Sequence, residues 1–250
     1  MSSTIARSGT LSLIAVLIAW AASPVSAQRP ELHGLDGFWE PKFDREPYGQ
    51  VLIDALPADV TMIDDTGDGE LALGEYGGLE LSARALADIE HYDAAIEQSP
   101  EGACVTPSVA FYMQAPFPME IYEGRDLIVF KMEYYDLFRV IFLDGRGHPP
   151  ADAPRTKSGH SVGHWEGDTL VVDTTHVAGA TFMNNGFNHS DDMHIVERMR
   201  LSPDGTTLWM TQLYDDPDTF DGMAARYFAF TRSPGQFVFP FDCQPDYLQR

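Results

Sequence analysis

Basic residues are scarce in this chain: 16 Lys and Arg stand against 38 Asp and Glu, for a net charge of −22 at pH 7. Such an excess repels nucleic-acid phosphates and anionic membrane surfaces, and excludes both as partners. A solvated, salt-adapted surface is the plainest use of the acidity. Long apolar runs are also lacking. Beyond the first residues no segment approaches the roughly 18 apolar residues that a membrane-spanning helix needs, so no membrane insertion is expected. No nucleotide-binding glycine motif occurs, which argues against a Rossmann cofactor site. Ser161 has no Gly-x-Ser-x-Gly elbow around it, which weakens nucleophilic catalysis. Internal repeats and low-complexity tracts are absent. Cysteine is limited to Cys104 and Cys243.

The N-terminus reads as an address. Arg7 precedes an apolar run over 11–22 that is too short to span a bilayer, and Val25-Ser26-Ala27 offers the small residues of a cleavage site. Residues 1–27 are therefore expected to be a signal peptide, and the remainder a periplasmic or secreted, monomeric protein. In an oxidising compartment the even cysteine count favours a Cys104–Cys243 disulfide. Closing so long a loop is worth about 5 kcal/mol in the chain-entropy account.

Two regions differ in texture. Residues 28–117 read as loop-rich, packed on the sheet, with one helix over 82–96 that Ser82 could cap. Residues 118–250 read as an antiparallel β region. Its strands are predicted at 119–123, 127–133, 137–143, 160–165, 168–174, 193–201, 206–213, 225–232 and 236–241, with Pro203-Asp204-Gly205 and Glu166-Gly167 as turns. The expected fold is mainly β, a meander forming a barrel-like or strongly curved sheet.

Near the start of the mature chain stands Gly37-Phe38-Trp39. A Gly-x-Trp before a meander resembles the entry signature of lipocalin-type barrels. A second resemblance rests on 159–174, Gly-His-Ser-Val-Gly-His-Trp-Glu-Gly-Asp-Thr-Leu-Val-Val-Asp-Thr, with Asp144-Gly145-Arg146, His148-Pro149, His189-Ser190 and 194–198. Over roughly its last 130 residues the chain resembles a widespread group of exported bacterial proteins of uncharacterised function. His164 departs from the basic residue expected there. This resemblance implies a compartment but no activity.

Period-two alternation sorts the candidate chemistry. Glu197 shares a face with Met193, Ile195, Met199 and Leu201, and Arg139 with Leu137, Ile141 and Leu143. Asp173 shares one with Val171. All three are expected to point inward, where a charge must be paired, metal-bound or shifted in pKa. A Glu197–Arg139 pair serving the fold is one reading; a lined cavity is the other. Six of the eight histidines lie between His148 and His194. His160, His189, His194, Glu166 and Glu197 form the candidate acid–base set. Arg139, Trp165 and Tyr134 are the candidate ligand-binding residues. His160 and His164 stand about 13 Å apart on a strand, too far to chelate one metal.

The segment from Asp64 to Glu75 resembles an EF-hand calcium loop, with Asp64 first, Asp68 fifth and Glu75 twelfth. Thr66 and Ala72 depart from that pattern, and an acidic turn is the simpler reading. Calcium is the cofactor this loop suggests; a transition metal on His189 and His194, with Asp191 or Asp192, would need the loop between them to bend. The expected function is binding of a small organic molecule in a barrel cavity, with lyase, isomerase or hydrolase chemistry on His and Glu. A non-catalytic periplasmic carrier and a calcium- or metal-binding structural protein are the alternatives.

Overall fold

In the computed structural model the described residues are 32–44, 46, 49–63, 71–97, 99, 102 and 104–244. The expected signal peptide, with Asp64 and Asp68 of the acidic loop, lies outside them. The strands follow the apolar alternation of the sequence. They are β1 (Gly37–Pro41), β2 (Thr61–Met62), β3 (Met119–Glu123), β4 (Leu127–Met132), β5 (Phe138–Phe142), β6 (His160–Glu166), β7 (Thr169–Thr175), β8 (Ala180–Met183), β9 (Phe187–His189), β10 (His194–Leu201), β11 (Thr207–Asp215) and β12 (Met223–Arg232).

Among the described residues nine strands close into a lipocalin-like barrel in the order β1-β3-β4-β5-β6-β7-β10-β11-β12, and β12 returns to β1. β2 adds a two-residue parallel pairing on β12, and β8 and β9 form a separate hairpin. Strand direction cannot alternate all the way round an odd-numbered ring, so one neighbouring pair must be parallel. That pair is β5–β6, matched only at Ile141↔Ser161 and Phe142↔Val162. Parallel neighbours need a crossover, and the proline-rich 143–159 segment supplies it, returning outside the wall. Gly163 lets the seam close: a Cβ there would stand 2.9 Å from Ile141 Cγ2.

Three predicted features shift. Residues 236–241 form no strand. After a short α1 (Gln50–Ile53), the helix over 82–96 is two pieces, α2 (Ala83–Ile89) and α3 (Ala94–Glu97), although the Ser82 hydroxyl does accept from Ala85 N at 3.1 Å as the cap of α2. β1, from the region expected to be loop-rich, is a barrel strand.

The barrel interior is filled. Phe130, Ile141, Val172, Met199, Met210 and Phe228 are among its buried residues. One end is closed by 33–36. The Glu123 carboxylate accepts from the backbone amides of His33, Gly34 and Leu35. Arg232 lies 4.2 Å over the Trp39 ring and donates to carbonyls of Gly34, Asp36 and Gly205. At the other end the short helix Val109–Tyr112 is wholly buried, and Val109 O accepts from Gln212 Nε2. Cys104 and Cys243 are bonded. No helix among the described residues is long and apolar enough to cross a membrane.

Candidate functional site

Inside the wall, β5 and β10 carry Arg139 and Glu197, 1% and 0% exposed. Their guanidinium and carboxylate pair through two hydrogen bonds. Arg139 also donates to Ser161 Oγ (3.1 Å) and Thr174 Oγ1 (2.9 Å), and Gln212 Nε2 donates to Glu197 Oε1 (2.8 Å). Tyr214 in turn donates to Gln212 Oε1 at 2.6 Å. Every charge is matched by fixed dipoles, which is what makes such deep burial tolerable. Tyr112 packs nearby; burial pushes its phenol up to about 12, with the Arg139 charge opposing. This is a structural brace with no opening to a ligand.

Asp173 does not join it. β7 reads Thr-Leu-Val-Val-Asp-Thr-Thr, apolar on both faces over its first half, so alternation there is ambiguous. The register pairs Asp173 with Val162 and Val196, whereas Glu197 pairs with Val172. Asp173 and Val171 therefore face outward, correcting the expected inward placement. Asp173 there bonds two histidines directly and reaches a third through one of them. His148 Nε2 lies 2.8 Å from Oδ1 and His194 Nε2 3.0 Å from Oδ2. A carboxylate only accepts, so both Nε2 atoms carry hydrogen. His148 Nδ1 then accepts in the neutral ring, and His160 Nδ1 faces it at 3.1 Å.

The environments pull these groups apart. His194 is raised by its bond to Asp173, and Asp173 is lowered chiefly by His194. His160 is lowered by burial and then by the charges of His148, His176 and Arg146. His148 belongs to the crossover, which His176 also pins by donating from Nε2 to Pro150 O at 2.9 Å.

A third locality lies at the end of the barrel that the Val109–Tyr112 helix plugs. A groove of about 1090 Å³ runs there between α2, α3, the 105–111 segment, the 134–135 corner and the 179–192 loop. Tyr92, Phe111, Tyr134 and Tyr135 supply aromatic surface, and Lys157, His189 and Asp191 polar groups. Tyr135 and Asp136 hold positive φ of 55° and 53°, a conformation uncommon for such residues. Asp136 is held by Phe241 N (3.0 Å) and Asp242 N (3.3 Å), in the tail that the disulfide anchors. Lys157 donates to Gly179 O at 2.7 Å, and its pKa is lowered by burial. His189 is buried, which lowers its pKa. Its Nδ1–H donates to Ser190 O (2.8 Å), leaving Nε2 to accept from Ser108 Oγ at 2.6 Å.

The candidate acid–base set is thus dispersed, correcting the expectation of one shared cavity. Glu197 is sealed inside, His160 and His194 lie on the outer wall, and His189 is at the groove. Glu166 sits at the β6–β7 turn, paired with Arg198 and His164. The ligand-binding trio divides as well. Tyr134 lines the groove and Arg139 is in the brace. Trp165 points inward under His33, ring centroids 3.5 Å apart. Glu75, the described member of the acidic loop, accepts from Ala72 N through its carboxylate and from Asn185 through its carbonyl. Among the described residues no group of three or more His, Cys, Asp or Glu is arranged to hold a metal ion.

Sequence reasoning passed over His148 and Asp173 as members of a common site. The signal for Asp173 was the hairpin register, which sets His160 and Asp173 on the same face two positions apart; His148 comes in from the crossover, which the register does not place. No protein-family model matches this chain, and no curated protein matches it.

Proposed function

We propose that this is an exported, non-catalytic carrier of a small polar organic molecule, held in the groove outside the plugged end of the barrel. The observation that carries this reading is the groove: about 1090 Å³, lined by Tyr92, Tyr134 and Tyr135 and by Lys157, His189 and Asp191. Pockets of this size with aromatic walls and a few convergent polar groups are where small ligands bind. The packed barrel interior leaves the mouth, not the axis, as the ligand's place. Aromatic surface beside amide, hydroxyl and carboxylate groups suits a sugar, and Lys157 supplies a cation for a small aromatic acid. Export is supported by the N-terminal pattern and by the disulfide.

The test is a panel of monosaccharides and aromatic carboxylates followed by amide chemical shifts in NMR. Binding is expected to perturb amides around Tyr134, Lys157 and His189, and Tyr134→Ala is expected to weaken it at least tenfold with the fold retained. Perturbations confined to the closed end near Trp165, or none across the panel, would sink the reading. Turnover of any bound compound would replace the carrier by an enzyme.

A further inference from the structure

We propose that His148 and His160 form a surface site for a late first-row divalent cation, binding Cu²⁺ more tightly than Zn²⁺. The site is independent of the groove and of whatever binds there.

The argument starts from the two Nδ1 atoms, which face each other at 3.1 Å. Two nitrogens on one ion at ordinary metal–nitrogen lengths stand roughly 2.9 Å apart at a right angle and about 3.3 Å apart at the tetrahedral angle. The observed spacing falls between them, so both rings can bind one ion through small ring rotations. The second support lies behind the first ring. A metal-bound imidazole nearly always donates its other N–H to a carboxylate, carbonyl or water, which fixes its orientation and raises its basicity. His148 does this already, through Nε2 to Asp173 Oδ1 at 2.8 Å. Asp173 is steadied in turn by His194 at 3.0 Å. His160 is oriented by stacking on Phe142, centroids 5.4 Å apart, and Arg146 lies on the same Phe142 ring but is committed to Asp144.

The ligand set also selects the ion. Two neutral imidazoles with solvent completing the shell favour copper over nickel and zinc by the general affinity order, and disfavour calcium and magnesium, which take oxygen. Neither imidazole is sealed, the His148 side chain being 23% exposed, so solvent and ion can enter. A strongly acidic chain draws cations toward its surface. Only two protein ligands converge, which agrees with the absence of any three-residue cluster among the described residues.

The experiment is calorimetric titration of the untagged, chelator-treated protein with Cu²⁺ and with Zn²⁺ near neutral pH, using glycine as competitor, alongside electron paramagnetic resonance of the copper form. One equivalent of Cu²⁺ is expected to bind with a two-nitrogen imidazole signature. His148→Ala and His160→Ala are each expected to abolish that equivalent. Asp173→Asn is expected to weaken it about 10- to 100-fold, and His164→Ala to leave it unchanged. Thermal melts of the metal-free variants establish that they fold. Absence of a stoichiometric copper site, or wild-type binding in folded His148→Ala and His160→Ala, would overturn the proposal. In that case the pair shares a proton and nothing else.

Discussion

Arg139 and Glu197 show how a pair of opposite charges is kept inside a barrel packed largely with hydrocarbon. Neither is exposed, and every strong donor or acceptor they present to Ser161, Thr174 and Gln212 is met. Removing one partner strands the other in a medium that cannot solvate it, whereas removing both can come close to neutral. Glu197→Gln is therefore expected to lower unfolding stability by about 3–5 kcal/mol. The double substitution Arg139→Met with Glu197→Leu should cost clearly less than the two single changes added together. Denaturant unfolding of all four proteins closes the cycle, and simple additivity would mean the pair does not act as a unit. These residues were legible in advance because β5 and β10 alternate cleanly. Asp173 was not, because β7 is apolar on both faces at its start and its pattern assigns no side.

At the level of elements, His189 joins the β8–β9 hairpin to the helix that plugs the barrel. Its neutral ring accepts from Ser108, the residue before Val109, at 2.6 Å. Burial holds its pKa below the usual histidine value. The unfolded chain then binds a proton more readily than the folded one, so this residue's contribution is complete above about pH 6.5. It is lost as the pH falls from there toward the lowered native value. His189→Gln is expected to melt below wild type at pH 8, and the gap should narrow steadily on acidification to pH 5. A constant gap in calorimetric scans across that range would remove His189 as the cause. Most strands were readable from period-two patterns and turn residues. β8 and β9 were not: they are short and lie in a loop whose shape comes from packing. The 236–241 segment alternates like a strand but has no sheet edge to join, since β12 already pairs with β11 and β1.

For the whole molecule, nine strands force one parallel joint, and that joint is the most weakly zipped in the ring. β5 and β6 match over two positions, against nine for β11 and β12. Amides along this seam, at Ile141, Phe142, Ser161 and Val162, are expected to exchange with deuterium faster than those at the centre of β10 and β11. Uniform protection around the ring, measured by NMR, would contradict this. The inner brace crosses the same joint: Arg139 on β5 holds Ser161 on β6, Thr174 on β7 and Glu197 on β10. On the outside, His148 and His176 tie the crossover down over the same stretch of wall. The barrel therefore behaves as a split ring, with a rivet through the inside of the gap and a strap across the outside. Its compliance is concentrated in one place, and an ion clamped between His148 and His160 would stiffen the ring where it is softest.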